Sequence, residues 1–435
     1  CYEKAVNYYE KAYRKANIAI HPWYPYCLAF LINTYFSLNQ VEKAYPLIRE
    51  GVRLWPEHPD FYCLEGIVYQ YFGYFREAVA RFEKCIRLAD LLSEKKLPEC
   101  LVSPNYAYVI PFEGLKNQYL CSLDLQKTVY YLTKELQANP RKLETAVKLA
   151  TVLGRREPTD GVRQFFNKLY PPEQNQNALH LFRVFLLAGH ADLAETYYAE
   201  CNTRGIALSE FETCRYALLV KNRRLFEATV HSLERSEHDR PAVAKYRLIA
   251  ELLWNTEPYS EANGSDQDPF VSGSDSANPE SALRSFVTGK NSESESGVDP
   301  AELGSFLVEL FTLQCYDAFD RVIERVTSGD ALETVARHLF FTCEWELALL
   351  FYEHVLRRGE PSALGYEQLY YLTAGQGNTE EAISFISKAI DLEPRVVHRY
   401  GLLFQLAKKR GIVEHYKRKL FSEYPQYKSL AFLKS

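Results

Sequence analysis

Small and aromatic residues return along this chain at helical spacing, and the helical pattern itself returns at a longer interval. Ala44 and Ala78 stand 34 residues apart, as do Ala194 and Ala228, and Ala348 and Ala382. Around Ala78 the pattern reads Tyr62, Gly66, Tyr69, Gly73, Ala78 and Phe82. Steps of three and four residues put such side chains on one helix face. A fixed period of 34 predicts two helices and a turn per unit, each unit burying its apolar face on the next. The chain is therefore expected to be all-α and built from helical hairpins.

The positions have steric reasons. Gly66 is small where two helices of a hairpin cross. Gly73 and Gly377 suit the turn between them, where a left-handed backbone costs a glycine least. The recurrent alanine sits where the following helix approaches closest. Pro56, Pro140 and Pro394 each lie twelve residues after the alanine position, and none can continue the second helix. The register extends to positions near 5, 44, 78, 128, 162, 194, 228, 318, 348, 382 and 416, about ten units. Ala5, with Tyr9 and Ala12, reads as a second helix without its first. With no Met at the first position, this opening implies a fragment cut at its start.

The pattern resembles the tetratricopeptide (TPR) repeat, and the resemblance implies a superhelical solenoid of antiparallel helix pairs. It also implies a ligand-facing side on the first helix of each pair. The matching positions here are Tyr26, Asn33, Phe36, Gln70, Tyr71, Glu113, Asn117, Arg155, Arg183 and Arg337. This mix of aromatic and polar residues with modest positive charge suits an extended peptide or a docked protein. Asn33 and Asn117 fall where carboxylate-clamp members of the family carry Asn, but the neighbouring Lys residues are absent. Residues 1 to about 140 have a narrower likeness. The runs Pro59-Asp60-Phe61-Tyr62, Gly66-Ile67-Val68-Tyr69 and Phe82-Glu83-Lys84-Cys85 resemble the TPR region of bacterial family 2 glycosyltransferases. The spacing of 50 residues from Ala78 to Thr128 is similar too. That likeness implies an arm that positions an acceptor or partner for a catalytic domain. A free-standing TPR adaptor without an enzyme is the alternative.

The helical pattern stops at 255–300. Ten Ser, nine acids and two bases there give a charge of −7, against −5 for the whole chain, which leaves the remainder at +2. Such a segment buries too little apolar surface to offset its ordering entropy. The expected division is thus a repeat block at 1–254, a disordered linker at 255–300 and a second block at 301–435. A helix at 242–254 precedes the break, and a short turn is expected at 283–286. Near-neutral charge elsewhere, without a basic stripe, argues against nucleic-acid binding.

The residues offer little chemistry. Asp266-Gln267-Asp268 has the form of a metal-binding triplet but lacks a strand before it. Asn263-Gly264-Ser265 is a glycosylation sequon, and the run 291–296 is acidic and Ser-rich. Ten Cys show no CxxC pair, and Cys63, Cys85, Cys121, Cys201, Cys214 and Cys343 fall in expected helices. That scatter suits buried thiols in a reducing, cytoplasmic setting. His338 and His354 stand as surface or core-edge residues, and Glu380-Glu381 follow an expected cap at Asn378-Thr379. No catalytic, cofactor or metal site is expected, and no 18-residue apolar run is present.

Overall fold

The computed structural model describes residues 2–15, 24–95, 105–171, 173–235, 240–254, 299–326 and 328–433. All regular structure among them is helical. The metal-like triplet, the sequon, the 291–296 run and the turn at 283–286 lie outside the described residues. The helices are α1 Tyr2–Lys15, α2 Tyr24–Ser37, α3 Val41–Leu54, α4 Pro59–Tyr71, α5 Phe75–Lys95, α6 Ile110–Cys121 and α7 Leu125–Ala138. They continue with α8 Leu143–Gly154, α9 Thr159–Leu169, α10 Asn175–Ala188, α11 Ala191–Thr203, α12 Glu210–Leu219, α13 Arg223–Arg235 and α14 Arg240–Trp254. Beyond the undescribed segment come α15 Pro300–Thr312, α16 Tyr316–Arg325, α17 Gly329–Phe341, α18 Trp345–Arg358, α19 Ala363–Gly375, α20 Thr379–Leu392, α21 Val397–Leu406 and α22 Arg410–Glu423. The fold is a series of antiparallel helix pairs of TPR type, and α1 packs on α2.

The turn inside the pairs repeats in detail. Eight turns place a left-handed residue two positions before the second helix: Asn39, Gly73, Leu123, Gly189, Lys221, Gln314, Cys343 and Gly377. The next amide then reaches back to the first helix, as in Tyr74 N to Tyr69 O at 2.8 Å and Asn378 N to Thr373 O at 3.0 Å. This satisfies carbonyls that the helix end would leave bare. Five of the eight residues are not glycine, so the turn itself does not require one. Asn378 occupies the cap position before α20, but its side chain makes no capping bond.

The fourth residue of each second helix is the close-packing position. Ala44, Ala78, Thr128, Val162, Ala194, Ala348 and Ala382 all occupy it and are buried. Ala228 does not. It is exposed, and Phe226, buried at 1 %, takes the fourth place of α13. The steps from Val162 to Ala194 and from Ala194 to Phe226 are 32 residues rather than 34. In α16 the fourth residue is Phe319, with Ala318 buried beside it, and in α22 Tyr416 lies three residues further on. The 34-residue step from Ala194 to Ala228 is thus a coincidence of composition.

The closing prolines carry a second duty. Tyr62 Oη donates to Pro56 O at 2.9 Å, and Tyr400 Oη donates to Pro394 O at 2.9 Å. In each case the partner is six residues on, so the incoming helix is tied to the loop that delivers it. Gly66 behaves as expected: a Cβ there would lie 2.6 Å from the Phe82 ring, and one on Gly114 would meet the other side of that ring at 2.6 Å. Phe82 is fully buried between the two glycines.

The described residues form two compact units, 1–141 with 362–435, and 142–361. The first holds α1–α7 and α19–α22; the second holds α8–α18. Each therefore combines helices from before and after the undescribed segment. The division expected at 255–300 concerns where the repeat pattern stops, whereas these units reflect packing. The helix α14 packs on α12 and α13, with the Trp254 and Phe226 rings 5.3 Å apart.

Candidate functional site

In the first unit, the turn after α4 lies against α21. Gly73 (φ 75°) leaves no room for a Cβ because the His398 carbonyl stands there, and Gly401 is pressed likewise on the Phe72 carbonyl. Gln405 Nε2 donates to Gly73 O. The helix α21 is itself anchored by a buried charge cluster. Glu367 of α19 accepts from Arg399 Nε at 2.8 Å and from Tyr371 Oη at 3.2 Å, and lies 2.9 Å from His398 Nε2. Burial alone would raise the Glu367 carboxyl, but His398 and Arg399 hold it below its usual range. Arg399 Nη1 also pairs with Glu393 at 2.9 Å. These groups join helices; they do not open onto a cleft.

The segment after α22 then runs over α3 and α4 as two short 3-10 turns, Pro425–Ser429 and Ala431–Leu433. Tyr427, Leu430 and Leu433 are buried. The Tyr427 and Tyr71 hydroxyls lie 3.0 Å apart, and the Tyr427 ring meets Phe72 edge-on at 5.0 Å. Phe432 enters an aromatic slot. Its ring lies 5.0 Å from Tyr45, 5.6 Å from Tyr69, 5.3 Å from Phe72 and 5.4 Å from Tyr74, edge-on to all four. Edge-to-face pairs set the positive rim of one ring on the negative face of another. Burial pushes the Tyr74 phenol up to about 12 and raises that of Tyr45, so both stay neutral at ordinary pH. The slot thus takes a large apolar side chain without a charge of its own.

The sequence-derived groove positions divide between the units. Tyr26, Asn33, Phe36, Gln70 and Tyr71 are half-buried on α2 and α4, whereas Glu113 and Asn117 are exposed on α6. Asn33 Nδ2 donates to Ala29 O of its own helix at 2.9 Å. Tyr71 is covered by Tyr427. The three arginines belong to the second unit. Arg155 pairs with Glu344 at 3.2 Å and lies over the Phe311 ring at 4.9 Å. Arg183 pairs with Glu212, and Arg337 donates to Thr334 at 3.3 Å. The structure therefore gathers the α2–α6 positions on one unit and engages each arginine internally. The slot residues Tyr45, Phe72 and Tyr74 and the inserted Phe432 were not legible as site residues. The only signal was Tyr427, Leu430 and Phe432 continuing an apolar pattern beyond the last repeat position.

Among the described residues no group of His, Cys, Asp and Glu is arranged to hold a metal ion. Eight described cysteines are free thiols, six of them buried. His338 is half-buried and His354 exposed. No helix among the described residues is long and apolar enough to cross a membrane.

No family model matches the chain, and no curated protein matches it. Solved structures similar to it include Naa15/Naa10 bound to HypK-THB, at 14 % identity over 94 % of this chain and 67 % of that one, with a TM-score of 0.32. Yeast Tom70 follows at 13 % identity, 99 % and 95 % coverage and a TM-score of 0.22. The APC/C hetero-tetramer Cut9–Hcn1 gives 11 %, 94 %, 93 % and 0.23. At these identities and TM-scores the likeness adds nothing to what the helix pairs themselves show.

Proposed function

We propose that the chain is a protein-interaction scaffold that takes short aromatic-rich apolar peptides on the α3–α4 face of its first unit. One observation carries this reading: the segment 424–433, wound into two short 3-10 turns, already lies there with Phe432 inside four aromatic rings. Its contacts define the ligand chemistry, an aromatic residue followed by Leu at the third position and Phe at the fifth. Tyr26, Asn33, Phe36, Gln70, Glu113 and Asn117 extend the same unit as rim positions for a longer partner. A reducing, cytoplasmic setting is the one in which the buried free thiols would persist.

The glycosyltransferase-arm reading draws no support from the site. The three runs that suggested it are engaged in packing: Tyr62 binds the Pro56 carbonyl, Phe82 fills the space between Gly66 and Gly114, and Cys85 Sγ donates to Tyr106 O at 3.1 Å. The adaptor reading is therefore preferred.

The test uses the full chain carrying Phe432→Ala and a labelled peptide of sequence 421–433. Fluorescence anisotropy should show binding to this variant and weaker binding to the unaltered chain, whose own segment competes. Adding Phe72→Ala should remove it. A natively folded Phe432→Ala chain that fails to bind the peptide at 100-fold excess would sink the reading.

A further inference from the structure

The second unit brings an amine and a thiol together from two separate turns. Lys221 is exposed in the turn between α12 and α13. Its Nζ reaches the turn between α15 and α16, where it donates to Leu313 O at 2.9 Å and to Gln314 O at 3.4 Å. Carbonyls at a helix C-terminus attract a positive charge. Here they also fix where Nζ stands, 3.2 Å from Cys315 Sγ. Cys315 is the N-cap of α16, and its thiol makes no capping bond. Burial raises that thiol, and Lys221 draws it back down. A lysine and a helix N-terminus are two of the neighbours that make a thiolate available to an oxidant. Cys315 is only 3 % exposed, which shuts out a second protein thiol. The group that an oxidised sulfur would meet first is therefore Lys221 Nζ.

We propose that peroxide joins Cys315 to Lys221 through one oxygen atom, a covalent S–O–N staple between the two turns. A direct S–N bond would have to close most of the gap, whereas a bent oxygen spans it with little movement. Cys315 Sγ attacks one oxygen of hydrogen peroxide; the O–O bond breaks, and a sulfenic acid and water form. A second peroxide displaces water from the sulfenic acid and leaves S–O–OH. Lys221 Nζ, having lost its extra proton to water, attacks the sulfur-bound oxygen. The O–O bond breaks, hydroxide leaves, and one N–H proton joins it as water. One thiol, one amine and two peroxides thus give one bridge and three waters, and sulfur and nitrogen each give up two electrons. Lys221 and Cys315 lie on either side of 255–298, 94 residues apart. Closing so long a loop restricts the unfolded chain, so the staple strengthens the second unit where its two stretches of sequence meet.

The experiment treats the full chain with hydrogen peroxide, alkylates the remaining thiols in denaturant, and reads the digest by tandem mass spectrometry. The peptide with Lys221 should appear linked to the peptide with Cys315, heavier than their sum by one oxygen less two hydrogens. Dithiothreitol should cleave the S–O bond and return the thiol. The urea midpoint should rise with the linked fraction and fall back on reduction. Lys221→Arg keeps the positive charge but offers no primary amine. It should lose the link, and its Cys315 should run on to the sulfinic or sulfonic acid, which dithiothreitol does not reverse. Cys315→Ser, checked by circular dichroism, should lose both the link and the shift in midpoint. An unaltered chain whose Cys315 ends as an unlinked acid, or stays fully alkylatable after the other thiols have reacted, would overturn the proposal. So would a link that lacks the oxygen, or an equal rise in midpoint in Lys221→Arg.

Discussion

At the scale of single residues, glycine has two different duties in the same turn. Gly73 and Gly377 share the left-handed backbone, but only Gly73 faces another backbone, the His398 carbonyl; nothing lies within 4 Å of a Cβ on Gly377. Gly377→Ala should therefore cost about 1 kcal/mol, the strain of the left-handed conformation. Gly73→Ala adds a clash that neither backbone can relieve, and should cost more than about 2 kcal/mol. Urea denaturation of the two variants measures the difference, and equal losses would deny the close approach. Burial also sets a pH dependence. It lowers the imidazoles of His58 and His338 to about 4, helped at His338 by Arg155. The unfolded chain takes up those protons near the ordinary value of about 6.5 and the native chain does not. Stability should be full above that value and fall as the pH drops from about 6.5 towards about 4. The urea midpoint should fall between pH 7 and pH 5, and His58→Gln should shrink the fall. The lowered carboxyls of Glu212 and Glu367 act only at more acid pH.

At the scale of elements, the repeat period is less informative than the place of a residue within its helix. The fourth position of the second helix is buried in α3, α5, α7, α9, α11, α13, α18 and α20 whatever the interval between pairs. Ala228 satisfies the period and not the position. Phe226→Ala should therefore cost about 3–5 kcal/mol, as for a large core ring, whereas Ala228→Leu should be nearly neutral. A thermal melt of both variants decides between period and position, and the reverse order would restore the 34-residue register. The turn geometry was also only half legible. Gly73 and Gly377 announced it, but Leu123, Lys221, Gln314 and Cys343 adopt the same conformation with no glycine to mark it. The back-bond to the first helix holds them there, and that bond depends on where the helix ends.

At the scale of the whole molecule, each compact unit draws on sequence from both sides of 255–298. In the first, Gly73 meets α21, Leu123 packs on Gly375, and the 424–433 segment covers α3 and α4. In the second, Lys221 Nζ donates to Leu313 O at 2.9 Å, Gln314 Nε2 donates to Gly189 O at 2.7 Å, and Arg215 pairs with Glu309. Burial at these junctions needs both pieces. Fragments 1–254 and 301–435, produced separately and mixed, should therefore associate and elute together on size exclusion. Two fragments that each stay folded, monomeric and apart would contradict the composition of the units.

Sequence alone determined the helix pairs, their approximate number and the small residues between them. These are local matters: spacing along one helix decides which face is buried, and a neighbour 34 residues away buries it. Tertiary structure decided which distant turns meet, that Phe226 rather than Ala228 is core, and that Phe432 lies among Tyr45, Tyr69, Phe72 and Tyr74. Such pairings join residues hundreds of positions apart. A repeat offers many equivalent faces, and only packing selects which of them touch.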